Sequence, residues 1–120
     1  MNHIESPATG DSAIEQAIQA AGKTAPRVTP EDLSANIVDV ETVKHVSVTG
    51  QVLRWAVITT RNGYAVTGDP SCSVSSENDN AETGVALAIA NAKRNLWPLM
   101  GYQLKQQLFT ESIAATVRTA

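Results

Sequence analysis

The chain has 120 residues and a formal net charge of −3, a length that suits one domain around one core and leaves no room for a second. The mildly acidic balance speaks against sequence-independent binding to DNA or RNA, which needs clustered Lys and Arg. A single cysteine, Cys72, with His3 and His45 as the only histidines, excludes an internal disulfide and supplies too few soft ligands for structural zinc.

Residues 1–10 contain Ser6, Pro7, Thr9 and Gly10 with little apolar content and read as a disordered leader, without the basic and apolar regions of a signal peptide. No window holds the ~18–20 apolar residues of a bilayer span, so an intracellular chain with no membrane partner is expected. Asp11 or Ser12 caps a short predicted helix that Gly22 ends, with Ala13, Ile14, Ala17, Ile18 and Ala21 on one side. Residues 23–27 follow as a linker.

Thr29-Pro30-Glu31-Asp32 is a strong helix start. Threonine accepts a backbone N–H, proline fits the first helical position, and acids suit the positive end of the dipole. Past Leu33 and Ile37, β-branched residues take over through Val40, Val43, Val46 and Val48 and predict a strand. Thr49-Gly50-Gln51 then turns the chain into a second strand over residues 52–61. Leu53, Trp55, Val57 and Thr59 share one face of it; Val52, Arg54, Ala56, Ile58 and Thr60 share the other, so Arg54 stands alone as a charge on an apolar surface. Asn62-Gly63 predicts a tight hairpin in which both residues take positive φ, and residues 64–67 return as a third strand.

Residues 68–80 form a long polar segment, of the kind that in compact domains is functional or disordered. Asn80 is placed to cap a helix whose apolar stripe is Val85, Ile89, Ala92 and Leu96. Trp97-Pro98 is expected to interrupt it, because proline lacks the amide donor and restricts its predecessor. A further helix then runs to about Phe109, and residues 110–120 fray or extend it. The fold class is therefore α+β: short N-terminal helices, a three-stranded antiparallel sheet and two C-terminal helices packed on it. The division is a leader and linker over residues 1–27, one domain over 28–109 and a tail over 110–120.

No nucleophile with a base, no carboxylate pair and no metal set stands out along the chain. His45 lies among valines in a strand, Cys72 has no histidine near it in sequence, and Gly68-Asp69-Pro70 lacks the Lys-Ser/Thr ending of a phosphate loop. No catalysis and no cofactor is expected. The basic residues are more informative: Lys44 and Arg54 on strands, Arg61 at a hairpin end, Arg94 and Lys105 on the last helices. Each alone reads as a solvated charge, whereas several converging with Asn78 or Asn80 would make a phosphate pocket in which arginine supplies paired donors.

The ordered strings Thr29-Pro30-Glu31-Asp32-Leu33, Thr60-Arg61-Asn62-Gly63-Tyr64, Glu77-Asn78-Asp79-Asn80-Ala81-Glu82-Thr83-Gly84, Leu96-Trp97-Pro98-Leu99 and Gly101-Tyr102-Gln103-Leu104 resemble a family of small bacteriophage accessory proteins. That family looks to include the first-described Thoeris anti-defence protein, and the resemblance covers residues 28–108. It implies a signal sponge in the host cytoplasm. Such a protein binds, without cleaving, a cyclic nucleotide-derived immune signal, either glycocyclic ADP-ribose or a cyclic oligonucleotide. It also implies a homo-oligomer with ligand held between subunits. On that model Lys44, Arg54, Arg61, Arg94 and Lys105 meet phosphates, while Asn78 and Asn80 meet base or ribose. Relatives are expected to carry an aromatic where this chain has Asp79, and an aspartate there repels phosphate; Trp55, Tyr64 and Tyr102 are the candidates to supply a ring instead. An accessory protein with a structural or protein-interaction role and no small-molecule ligand is the alternative reading.

Overall fold

The computed structural model describes residues 7–22 and 25–119. Elements run in the order α1 (Pro7–Ala20), α2 (Pro30–Ala35), β1 (Ile37–Val46), β2 (Val52–Thr60), β3 (Ala65–Thr67), β4 (Ser71–Ser73), a single 3₁₀ turn (Ser76–Asn78) and α3 (Ala81–Thr119). The α+β class and the antiparallel sheet are as predicted. The counts of strands and helices are not.

The sheet has four strands with β2 at its centre. β1 pairs along one edge of β2, from Val46 opposite Val52 to Ile37 opposite Thr60, with a bulge between Ile37 and Asp39. The other edge is shared, since β3 pairs with Val57–Thr59 positions and β4 with Val52, Leu53 and Arg54. β4 is the strand that hydropathy missed. Ser71-Cys72-Ser73 has no apolar run, and Gly68-Asp69-Pro70 breaks the ladder before it, because Pro70 has no N–H to donate.

Two turns use one geometry. Ser47 N–H donates to the Gln51 carbonyl and Gly50 N–H to Ser47; likewise Thr60 donates to Tyr64 and Gly63 to Thr60. Within these two turns only Gly50 and Gly63 take positive φ, at 91° and 88°. The hairpin is therefore a type I turn followed by a left-handed glycine, and Asn62 is not left-handed as expected. Instead the Asn62 Oδ1 accepts from the Thr60 hydroxyl at 2.7 Å and from the Tyr64 amide at 3.0 Å, which holds the turn from inside.

At the start of α2 the capping residues behave as predicted. Thr29 Oγ1 accepts from the Asp32 amide at 3.1 Å, and Asp32 Oδ2 accepts from the Thr29 amide at 3.0 Å. The chain into the sheet is thereby fixed, and Leu33 is delivered to the core.

The core lies between one face of β2 and α3. Ala56, Ile58, Val66, Ala88, Ala92 and Leu96 form it with Leu33. Ile58 and Leu96 are the largest fully buried side chains, and such burial contributes about 1.5–3 kcal/mol each. Ala56 on the strand and Ala88 and Ala92 on the helix let the two elements close together. The opposite face of β2, carrying Leu53, Trp55 and Val57, is half-buried, and no described helix packs across it.

α3 is one helix of 39 residues with Pro98 inside it, which corrects the expected break. The stripe Ala92, Leu96, Met100, Leu104, Leu108 keeps a spacing of four across the proline, so the two halves share one phase. Trp97 and Met100, on either side of Pro98, both pack on the core and hold the helix in line. Pro98 and Arg94 are exposed, so water can satisfy the Arg94 carbonyl that loses its amide partner. At about 1.5 Å per residue α3 spans roughly 58 Å, which accounts for most of the 67 Å length of the molecule. Its last turns therefore project past the sheet.

α1 begins earlier than predicted, so residues 7–10 belong to a helix and not to a leader; residues 1–6 lie outside the described residues. Its inward side also differs. Ile14 is 62% exposed, whereas Glu15 is buried and pairs with Arg27, and Asp11 accepts from Trp97 Nε1 at 3.2 Å. Asp11, Glu15 and Ile18, spaced four and three, face the body in place of the alanine side. The Arg27 and Gln19 hydrogen bonds hold the Glu15 carboxyl below its ordinary range.

Candidate functional site

Four of the seven predicted site residues meet at one end of the sheet, where β2, β4 and the first turn of α3 enclose a cleft of about 140 Å³. Arg54, Ser71, Ser73, Asn78, Asn80 and Gly84 line it, and Lys44 sits opposite Arg54 in the β1–β2 register.

Arg54 is placed there by strand alternation. It shares the buried face of β2 with Val52, Ala56 and Ile58 and is only 6% exposed. A guanidinium so far from water needs a partner, and Asp79 supplies it. Arg54 Nη1 donates to Asp79 Oδ1 at 2.6 Å and Nη2 to Oδ2 at 2.7 Å, a two-pronged pair. Ser73 Oγ donates to Asp79 Oδ1 at 3.1 Å. The Arg54 hydrogen bonds lower the Asp79 carboxyl to about 2 despite the opposing effect of burial, with Ser73 and the Lys44 charge adding in the same direction. Asp79 in turn raises the Arg54 pKa.

The floor is built from small residues. A β-carbon on Gly84 would lie 2.8 Å from Arg54 Nη1 and 3.4 Å from Cδ, so the guanidinium rests directly on the helix backbone. Ser71 Oγ donates to the Gly84 carbonyl at 2.7 Å and ties β4 to α3 at that point. Asn80 caps α3 as predicted, its Oδ1 accepting from the Thr83 amide at 3.1 Å. Asn78, on the 3₁₀ turn, is exposed.

Arg61, Arg94 and Lys105 do not join this cleft within one chain. Arg61 follows β2 at its far end, roughly 23 Å along the strand from Arg54. Arg94 is exposed and donates to Asn91 Oδ1 at 3.3 Å; it lies roughly 15 Å along α3 from Gly84, and Lys105 roughly 30 Å. The three candidate rings are also elsewhere: Trp55 is on the uncovered sheet face, Tyr64 is exposed beside the hairpin, and Tyr102 is 75% exposed on α3. Among the described residues, no aromatic lines the Arg54 cleft.

Ser73, Ser71 and Gly84 are participants that sequence reasoning missed, and Asp79, singled out there only as a residue that repels phosphate, is the partner of Arg54. A signal for that pairing existed. An arginine on the apolar face of a strand requires a buried anion, and Asp69, Glu77 and Asp79 in the following segment were the acids within reach. Cys72 is exposed, and among the described residues no group of His, Cys, Asp and Glu is placed to hold a metal ion. Nor, among the described residues, is any helix long and apolar enough to cross a membrane.

A family model described as Phage protein (N4 Gp49/phage Sf6 gene 66) family matches residues 28–108. No curated protein and no solved structure matches the chain. The matched span takes in the sheet, the core and the whole cleft and covers well over half of the sequence, so the chain belongs to the N4 Gp49/phage Sf6 gene 66 family of phage proteins.

Proposed function

We propose that this phage protein is a non-catalytic sponge that sequesters a cyclic nucleotide-derived immune signal, glycocyclic ADP-ribose or a cyclic oligonucleotide, in the host cytoplasm. The observation that carries the reading is the Arg54 cleft. It sets a buried guanidinium, paired with Asp79, among hydroxyl and amide side chains at the first turn of a long helix, a combination suited to a phosphate group that takes the place of the carboxylate. Lys44 adds positive charge beside it, and Asn78 and the amide of Asn80 offer hydrogen bonds to ribose or base.

Size decides where the rest of the ligand lies. A cleft of about 140 Å³ is well below the ~300–1,000 Å³ of sites that enclose a whole small molecule. It admits the phosphate part and leaves the remainder outside. A second subunit would cover that remainder and bring Arg61, Arg94 or Lys105 to it. Two surfaces support such an assembly: the uncovered face with Leu53, Trp55 and Val57, and the projecting part of α3, where Phe109, Ile113 and Val117 are 55%, 48% and 71% exposed.

Those same surfaces favour a second reading, an accessory protein that works through protein contacts and binds no small molecule. A thermal-shift screen separates the two. The sponge reading expects glycocyclic ADP-ribose or a cyclic di- or trinucleotide to raise the melting temperature; no shift from any of them leaves the interaction reading standing.

A further inference from the structure

We infer that Asp79 is a built-in competitor for the anion site: its carboxylate holds the two donors of Arg54 that a phosphate would use, so a phosphate-bearing ligand enters by exchanging with Asp79. The inference rests on the binding role proposed for this cleft and names the residue that sets its affinity.

The two partners of the pair are held very differently. Arg54 is fixed from behind by the backbone of Gly84 and by the strand that carries it. Nη1 and Cδ of Arg54 lie against that backbone, a contact that does not involve Asp79. Asp79 belongs to the segment between β4 and α3, where Val74 is 88% exposed and Glu77 and Asn78 are exposed too. The backbone bonds there, from Asn78 to Ser75 and from Asp79 to Ser76, are both long at 3.3 Å and local. The fixed cation and the exchangeable carboxylate thus form a latch, with Ser73 as its catch. A carboxylate gripping both terminal nitrogens reproduces the two-oxygen contact a phosphate makes with arginine. While the latch is shut, apparent affinity falls by the fraction of molecules in which it is open.

The test uses inorganic pyrophosphate titrated into the wild-type chain, Asp79→Asn, and Asp79→Asn combined with Arg54→Gln. Asp79→Asn should bind pyrophosphate at least about tenfold more tightly than wild type, and the gain should vanish in the double variant. Equal binding by wild type and Asp79→Asn, or a gain that survives without Arg54, overturns the latch. Amide exchange on the wild-type chain gives an answer that does not depend on the variants folding. Saturating pyrophosphate should speed exchange in residues 74–80, and unchanged or slower exchange overturns the proposal. Cyclic dinucleotides tested in parallel separate the two readings. If they bind wild type and Asp79→Asn alike, the latch falls and the sponge stands; if Asp79→Asn gains pyrophosphate but binds no cyclic nucleotide, the latch stands and the sponge falls.

Discussion

Arg54 and Asp79 show what alternation in a strand can and cannot reveal. The sequence placed Arg54 with Val52, Ala56 and Ile58, and the structure keeps that grouping. It did not say which face of β2 would meet the helix. Trp55, the bulkiest side chain of the strand, lies on the face that no described helix covers, and the small Ala56 meets α3, where close approach rewards small residues. Nor was the partner legible, since the pair joins residues 25 apart through a fold that pattern alone does not place. The pair has a measurable consequence in acid. Asp79 sits at about 2 in the folded chain against an ordinary 3.8, so its charge stabilises the fold in full above about pH 4. That contribution disappears as pH falls through about 2, because the unfolded chain takes up the proton first. Urea midpoints measured from pH 7 to 2 should therefore drop more steeply below pH 4 for wild type than for Asp79→Asn. Parallel curves would mean that the carboxylate is not held in this way.

Among the elements, those with a local cause were legible and those with a tertiary cause were not. Thr29-Pro30-Glu31-Asp32 specifies its own cap, and Gly50 and Gly63 specify their turns by accepting positive φ. β4 exists only because β2 offers it an edge, which no property of Ser71-Cys72-Ser73 announces. The break expected at Pro98 does not form, because the continuous stripe through Leu96, Met100 and Leu104 outweighs the local effect of the proline. Packing on both sides of the proline holds the helix together at a cost of about 3 kcal/mol relative to alanine. Pro98→Ala should accordingly stabilise the chain by about 2 kcal/mol after allowing for the greater freedom of its unfolded state, seen as a higher melting temperature with unchanged helix content. Loss of stability would show that the proline forms a corner the fold needs.

At the scale of the molecule, α3 packs on one face of the sheet and projects past it, and Phe109, Ile113 and Val117 stay exposed along the projecting part. The three basic residues that stay away from the Arg54 cleft lie along this same extended body. The assembly proposed above predicts that light scattering returns a multiple of the 12.7 kDa chain mass. A monomer at micromolar concentration would contradict the proposed placement of Arg61, Arg94 and Lys105 at an interface. Membership of the phage family was legible from the ordered strings over residues 28–108; the ligand is a further step, taken from the chemistry of the cleft. Its most direct test is calorimetric titration of glycocyclic ADP-ribose and of cyclic di- and trinucleotides into the wild-type chain, followed by heat release and mass analysis of the ligand. Saturable binding of at least one of them, returned intact, is the predicted result. No binding by any of them, or a chemically altered product, would contradict it.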